Sequence, residues 1–192
     1  MHQLPQRPNL LVCTDIFGIT PALQHWLAQL PAKLTLVSPY QQSYQFEHDE
    51  AAYQHFSFEG GINAYQQKLA VVLSEQTQPW FGLGFSAGAA VLWSALSATG
   101  QQADGCQRAW LFYGGQIRHQ AQLQPLCPTT LIWAQEDHFD VVALHQQLAS
   151  KAGLQSELTK YRHGFINPAS SGYQQAAACY YQQKLAFELA AN

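Results

Sequence analysis

The strongest constraint on the fold is a turn near the middle of the chain. The six mostly apolar residues 80–85 predict a buried strand, and the small and apolar residues from Ala87 onward predict a helix. Between them lies Gly84-x-Ser86-x-Gly88, which has the spacing of a nucleophile elbow. In such an elbow the serine occupies a strained backbone conformation, and the two small residues let strand and helix pass closely. The five-residue pattern also occurs by chance, so the rest of the chain must decide its meaning.

The remaining sequence alternates apolar strands with helices. This alternation predicts an α/β fold with a mostly parallel central sheet and helices on both faces. The predicted strands are 9–14, 34–37, 80–85, 109–113, 129–134 and 155–161, and the predicted helices are 21–30, 62–73, the segment from 87, 141–148 and 173–189. The aromatic stretch 38–61 is irregular, and a loop of this length is usually functional or partly helical. Its aromatic side chains fit either a pocket wall or ordinary packing over the sheet.

Length and composition limit the function classes. The 192 residues, 47% of them hydrophobic, suit a single domain over 1–192. A net charge of −3 gives no basic surface for nucleic acid, and no apolar run is long enough to cross a membrane. The polar residues 1–8 do not resemble a signal peptide, and the four cysteines show no C-x-x-C pair. We therefore expect a cytoplasmic protein with free, mostly buried thiols.

Residues that could activate Ser86 follow in a suggestive order. Asp137 comes directly after one predicted strand and His163 after the last, which gives the order Ser, Asp, His expected for this topology. His163 would act as the general base, and Asp137 would orient it. Glu136 and Asp140 stand close to Asp137, so the acid has alternatives.

The same topology predicts where an oxyanion would be stabilised. The backbone N–H of Ala87 and that of Ile16, in the loop after the first strand, are the predicted donors. We expect neither a metal nor a cofactor, because the sequence shows no ligand set with metal spacing and no phosphate-binding loop.

Several motifs together resemble the dienelactone hydrolases, a branch of the α/β-hydrolase superfamily. They are Asp15-Ile16-Phe17-Gly18, Gly84-Phe85-Ser86-Ala87-Gly88, Tyr113-Gly114, Gln135-Glu136-Asp137-His138-Phe139, His163-Gly164-Phe165 and Ser170-Ser171-Gly172-Tyr173. The resemblance runs from about residue 10 to the C-terminus. It implies an α/β-hydrolase fold and a substrate pocket formed by Asp15, Phe17, Tyr53, Phe56, Tyr113 and Phe165.

The chain also departs from that family. Ser86 replaces the family's cysteine nucleophile, and Asp15 is shorter than the family's glutamate, which puts its reach to Ser86 in question. Asp49 and Asn167 stand where the lactonases carry two arginines that hold the substrate carboxylate. Two N-terminal strands of the family are missing, which predicts an N-terminally shortened sheet and a possible homodimer that covers its edge.

Two functions follow from these observations. The first is a serine hydrolase with a Ser-His-Asp triad that cleaves small uncharged esters, lactones or thioesters through an acyl-enzyme. The second is a non-catalytic binding protein that keeps the fold and a degenerate site.

Overall fold

The structure, a computed structural model, describes residues 7–97 and 104–191. Most of the polar N-terminal stretch at 1–8 lies outside these residues. The strands are β1 (Asn9–Cys13), β2 (Lys33–Val37), β3 (Trp80–Phe85), β4 (Cys106–Phe112), β5 (Thr129–Gln135) and β6 (Leu154–Arg162). The α-helices are α1 (Pro21–Leu27), α2 (Asp49–Phe58), α3 (Gly61–Ser74), α4 (Ala87–Ala95), α5 (Val141–Ala149) and α6 (Gln175–Ala190), and a 3₁₀ helix covers Gly115–Gln120.

The six strands form one parallel sheet in the order β2-β1-β3-β4-β5-β6. The prediction of a parallel α/β sheet is confirmed. The chain moves outward from β1 to β2, returns to β3 on the other side of β1, and then proceeds steadily to β6. The order therefore reverses between β1 and β3, and in open α/β sheets ligands bind at the carboxyl ends of the strands beside such a reversal.

Helices cover both faces of the sheet. Along β1, Leu10 and Val12 pack with α1 and α6, whereas Leu11 and Cys13 face the opposite cluster, which contains α3, α4 and α5. This alternation follows from the two-residue repeat of a strand. It explains why β1, β3 and β5 are nearly continuous apolar runs, since both of their faces are buried, whereas the edge strand β6 alternates exposed and half-buried residues.

Local signals set several helix ends as the sequence indicates. The Thr20 side chain accepts a hydrogen bond from the Leu23 N–H, and Pro21 occupies the first turn of α1. The aromatic stretch 38–61 is partly helical, because it contains α2. His48 is the N-cap residue of this helix, and its ring nitrogen accepts a hydrogen bond from the Ala51 N–H at 3.1 Å.

None of the helices within 7–97 and 104–191 combines the length and the apolar character that crossing a bilayer requires. The edges of the described sheet are β2 and β6.

Candidate active site

Ser86 occupies the turn between β3 and α4. Its backbone has φ 51° and ψ −113°, a positive-φ conformation that is strained for a non-glycine residue. Its N–H donates to the Phe112 carbonyl at 2.9 Å, which ties the turn to the end of β4. A Cβ at Gly84 would lie 2.7 Å from the Ala89 Cα, and one at Gly88 would lie 2.2 Å from the Cys13 carbonyl oxygen. Both glycines are therefore required by close backbone approach, as the elbow pattern predicts.

The loop after β6 brings His163 to Ser86. The distance between Ser86 Oγ and His163 Nε2 is 2.8 Å. The buried Tyr113 ring packs against the His163 imidazole, and the two ring centroids lie 5.0 Å apart. The loop then folds back so tightly that a Cβ at Gly172 would lie 1.9 Å from the His163 carbonyl oxygen. The predicted pairing of Ser86 with His163 is thus present in the structure.

The carboxylate beside His163 is Glu136, and the prediction of Asp137 in this position is wrong. Glu136 Oε1 lies 2.7 Å from His163 Nδ1, and the Glu136 side chain is only 9% exposed. Asp137 is exposed and lines the cleft without a hydrogen bond to His163. Asp140, the other alternative, accepts the Ala143 N–H at 2.9 Å and caps α5.

A tight turn follows β1 at the same edge of the sheet. The Gly18 N–H donates to the Asp15 carbonyl at 3.0 Å, and the Tyr40 hydroxyl donates to the Ile16 carbonyl at 2.6 Å. Within the described residues, the N–H groups of Ile16 and Ala87 have no hydrogen-bond partner, and both residues line the cavity at Ser86. Their predicted role as oxyanion donors stays a prediction.

Asp15 is buried beneath this turn. Its Oδ1 accepts the Phe17 N–H at 3.0 Å, and its Oδ2 accepts the Asn167 amide at 2.8 Å. Burial raises the pKa of Asp15 to about 6, although these two hydrogen bonds and nearby His163 oppose the rise. Among the described residues Asp15 has no hydrogen bond to Ser86, so its carboxylate serves the turn and not the serine.

The cleft around Ser86 has two lobes. A polar lobe of about 370 Å³ lies toward Asp15, Asp137, Arg162 and the loop at 170–172. A larger lobe of about 790 Å³ lies toward α2, the start of α3 and Phe139. The lobes meet at residues that line both: Ile16, Asp49, Ser86, Glu136, His138 and His163.

The residues predicted to form the pocket divide into two groups. Asp15 and Phe17 line the polar lobe, and Tyr53 and Phe56 line the larger lobe. The prediction is wrong for the other two, Tyr113 and Phe165. Both are almost fully buried in the core beneath the site, where their rings pack edge-on at a centroid distance of 5.2 Å.

Carboxylates outnumber guanidinium groups along both lobes. Asp49, which stands at one of the family's arginine positions, lines both lobes and accepts the Ser171 N–H at 3.0 Å. Asn167 is buried against Asp15 and does not line the cleft. The guanidinium groups present are Arg162 in the polar lobe and Arg118 in the larger one, where Arg118 packs over the Phe139 ring.

The sequence offered Glu136 only as an alternative acid, and it assigned no role in the site to Phe139 or to the start of α3. Both Glu136 and Asp137 come immediately after β5, so their position in the sequence did not show which of them would face His163. For Phe139 and Ile62 no signal distinguishes a residue lining a cavity from one in the core.

Solved structures with a similar fold carry hydrolase names. A dienelactone hydrolase from Anabaena variabilis superimposes with a TM-score of 0.60 at 17% identity, over 93% of this chain and 86% of its own. A dienelactone hydrolase-like promiscuous phosphotriesterase from metagenomic libraries gives a TM-score of 0.62 at 13% identity, over 98% and 87%. A structure from Xanthomonas campestris, named for the α/β hydrolase superfamily, gives 0.58 at 14% identity, over 97% and 100%.

The chain has the α/β-hydrolase fold. The resemblance to dienelactone hydrolase-like proteins drawn from the sequence motifs is confirmed at the level of fold. No protein-family model and no curated protein matches the sequence. In this fold, Ser86 lies at the elbow after β3, Glu136 directly follows β5, and His163 directly follows the last strand, β6.

Proposed function

We propose that this protein is a serine hydrolase that cleaves small uncharged carboxylic esters, lactones or thioesters through an acyl-enzyme. The observation that carries the proposal is the continuous relay from Ser86 to His163 at 2.8 Å and from His163 to Glu136 at 2.7 Å. This geometry satisfies the requirements for an activated nucleophile, which are a base within hydrogen-bond reach and a third group that orients it.

In the first half-reaction, Ser86 Oγ attacks the substrate carbonyl carbon while its proton passes to His163 Nε2. The negative charge of Glu136 fixes the proton on Nδ1 and stabilises the imidazolium that forms. The carbonyl oxygen becomes an oxyanion, for which the N–H groups of Ile16 and Ala87 are the proposed donors. When the bond to the leaving group breaks, His163 returns the proton to the departing oxygen or sulfur.

The second half-reaction repeats these steps with water. His163 takes a proton from a water molecule, whose oxygen attacks the acyl carbon on Ser86 and forms a second oxyanion. Collapse of this oxyanion breaks the bond to Ser86 Oγ, and His163 protonates the serine. The products are the free carboxylic acid and the unmodified enzyme.

The charge of the cleft supports uncharged substrates. Asp49 and Ser86 both line the junction of the lobes, and both lobes carry more carboxylates than guanidinium groups. A substrate carboxylate at this position would meet like charge in a partly buried site, which is unfavourable. We therefore expect p-nitrophenyl acetate to be cleaved with a higher kcat/KM than the p-nitrophenyl monoester of succinic acid, and Asp49→Asn to narrow the difference.

The nucleophile is tested with Ser86→Ala. We expect wild-type protein to release p-nitrophenol from short esters and to be labelled by a fluorophosphonate, and Ser86→Ala to do neither. Equal rates in the two proteins would remove Ser86 from the reaction. A folded wild-type protein that shows neither turnover nor labelling would favour the non-catalytic binding protein.

The orienting acid is tested with two isosteric variants. Glu136→Gln removes the charge that faces His163, so we expect kcat to fall by about two to four orders of magnitude. Asp137→Asn is the matched control, since it makes the same chemical change one residue away, and its kcat should stay within about threefold of wild type. The reverse ranking would restore Asp137 as the acid.

A further inference from the structure

The buried pair Asp15–Asn167 joins two segments that the proposed reaction requires in register. Asp15 begins the turn that presents the Ile16 N–H, and Asn167 lies in the loop that carries His163. Their side chains meet at 2.8 Å although 152 positions separate them in sequence, and both are almost completely buried. Neither side chain forms a hydrogen bond with Ser86.

Each partner is also bound within its own segment. Asp15 Oδ1 accepts the Phe17 N–H at 3.0 Å, and the side-chain Oδ1 of Asn167 accepts the Ala169 N–H at 2.9 Å. The bond between the two side chains therefore links two local turns, one on either side of the cleft. Because every polar atom in this chain of bonds has one assigned partner, a shift of either turn would break a buried hydrogen bond.

We infer that Asp15 and Asn167 are positioning residues that hold the Ile16 N–H in register with His163. This inference rests on the proposed function, in which that N–H receives the oxyanion while His163 transfers the proton. Oxyanion donors contribute only when they already point at the developing charge. Misplacing the turn should therefore lower kcat and leave the KM for a small ester nearly unchanged.

The polarity of the pair permits a reciprocal exchange. In Asp15→Asn, the new amide can accept the Phe17 N–H only by directing its NH₂ at the NH₂ of Asn167. If Asn167 turns over to avoid this conflict, its NH₂ meets the Ala169 N–H. In Asn167→Asp, two carboxylates face each other at a buried site.

The double variant Asp15→Asn/Asn167→Asp restores all three hydrogen bonds with the donor and acceptor exchanged. The amide oxygen at position 15 accepts the Phe17 N–H, and its NH₂ donates to the carboxylate at 167. The other carboxylate oxygen accepts the Ala169 N–H.

The test compares wild type, both single variants and the double variant. One readout is kcat and KM for p-nitrophenyl acetate near neutral pH, with Ser86→Ala as the blank. The other is hydrogen exchange of the Phe17 amide. We expect each single variant to lose about tenfold or more in kcat, with less than about a twofold change in KM, and to exchange the Phe17 amide faster. The double variant should recover kcat to within about threefold of wild type and regain the slow exchange.

The two proposals fail in different ways. If wild type shows no turnover that depends on Ser86, the proposed function is wrong, and the positioning role of Asp15 and Asn167 in that reaction is wrong with it. With turnover present, unchanged kcat in the single variants, or a loss confined to KM, would overturn the positioning role. A double variant that folds but is no faster than Asp15→Asn would do the same, and this comparison stands even if Asn167→Asp does not fold.

Discussion

Replacing Asp15 by Asn should change how the stability of the protein depends on pH. Burial raises the pKa of Asp15 from 3.8 to about 6 in the folded protein. As the pH rises above 3.8, the unfolded chain loses this proton first, so the folded protein holds the extra proton until about pH 6. Stability must therefore fall with rising pH across this interval and become independent of Asp15 above it.

The difference between the pKa values of Asp15 in the unfolded and folded protein sets the size of the change in stability. At about 1.36 kcal/mol per pH unit, a rise from 3.8 to about 6 corresponds to about 3 kcal/mol. The free energy of unfolding of wild type, minus that of Asp15→Asn, should thus decrease by about 3 kcal/mol from below pH 4 to pH 7. Other titrating groups occur in both proteins and largely cancel in the difference.

Urea denaturation of the two proteins across this pH range measures the difference directly. Asp137→Asn is the matched control, because it makes the same chemical change at an exposed position. A flat difference for Asp15→Asn would show that burial does not raise this pKa. A difference that increases with pH would show that the hydrogen bonds from Asn167 and Phe17 outweigh desolvation and lower the pKa.

Three further predictions concern the scaffold. Because Ser86 is strained at φ 51°, Ser86→Gly should be more stable than the matched Ser86→Ala, by about 1 kcal/mol in urea denaturation, and equal stability would argue against strain. Gly88→Ala should fail to give folded protein by circular dichroism, since a Cβ would lie 2.2 Å from the Cys13 carbonyl oxygen, and a native-like melt would contradict this packing. The Cys106 and Cys127 sulfurs lie 3.3 Å apart, so oxidised glutathione should convert the pair to a disulfide with release of two reduced glutathione molecules. Mass spectrometry would detect the bond, and Cys106→Ser should prevent it.

The sequence could predict the framework because its signals are local. Continuous apolar runs, a threonine–proline helix start and the glycine spacing around Ser86 each act within a few residues, and each is reproduced in the structure. Chain order then supplied His163, since a residue that follows a parallel strand lies at the same sheet edge as any other such residue.

The aromatic residues show where such reasoning ends. Tyr53, Phe56, Tyr113 and Phe165 have the same chemical character in the sequence, yet the first two line the cleft and the last two lie in the core. A bulky apolar side chain fits either place, and only packing of distant segments decides between them.

The carboxylate that contacts His163 shows most clearly what the sequence could predict and what only the tertiary structure could decide. The sequence by itself determined an α/β fold, the elbow at Ser86, the placement of His163 at the same edge of the sheet and a carboxylate at the end of β5. It could not choose between Glu136 and Asp137, because adjacent residues after a strand point in different directions. The pairing of β5 with β6 shifts register between Trp133 and Gln135, and that shift precedes the segment where the chain leaves the sheet. Only the tertiary structure could place Glu136 against His163, since the choice depends on how two strands joined through α5 meet in space.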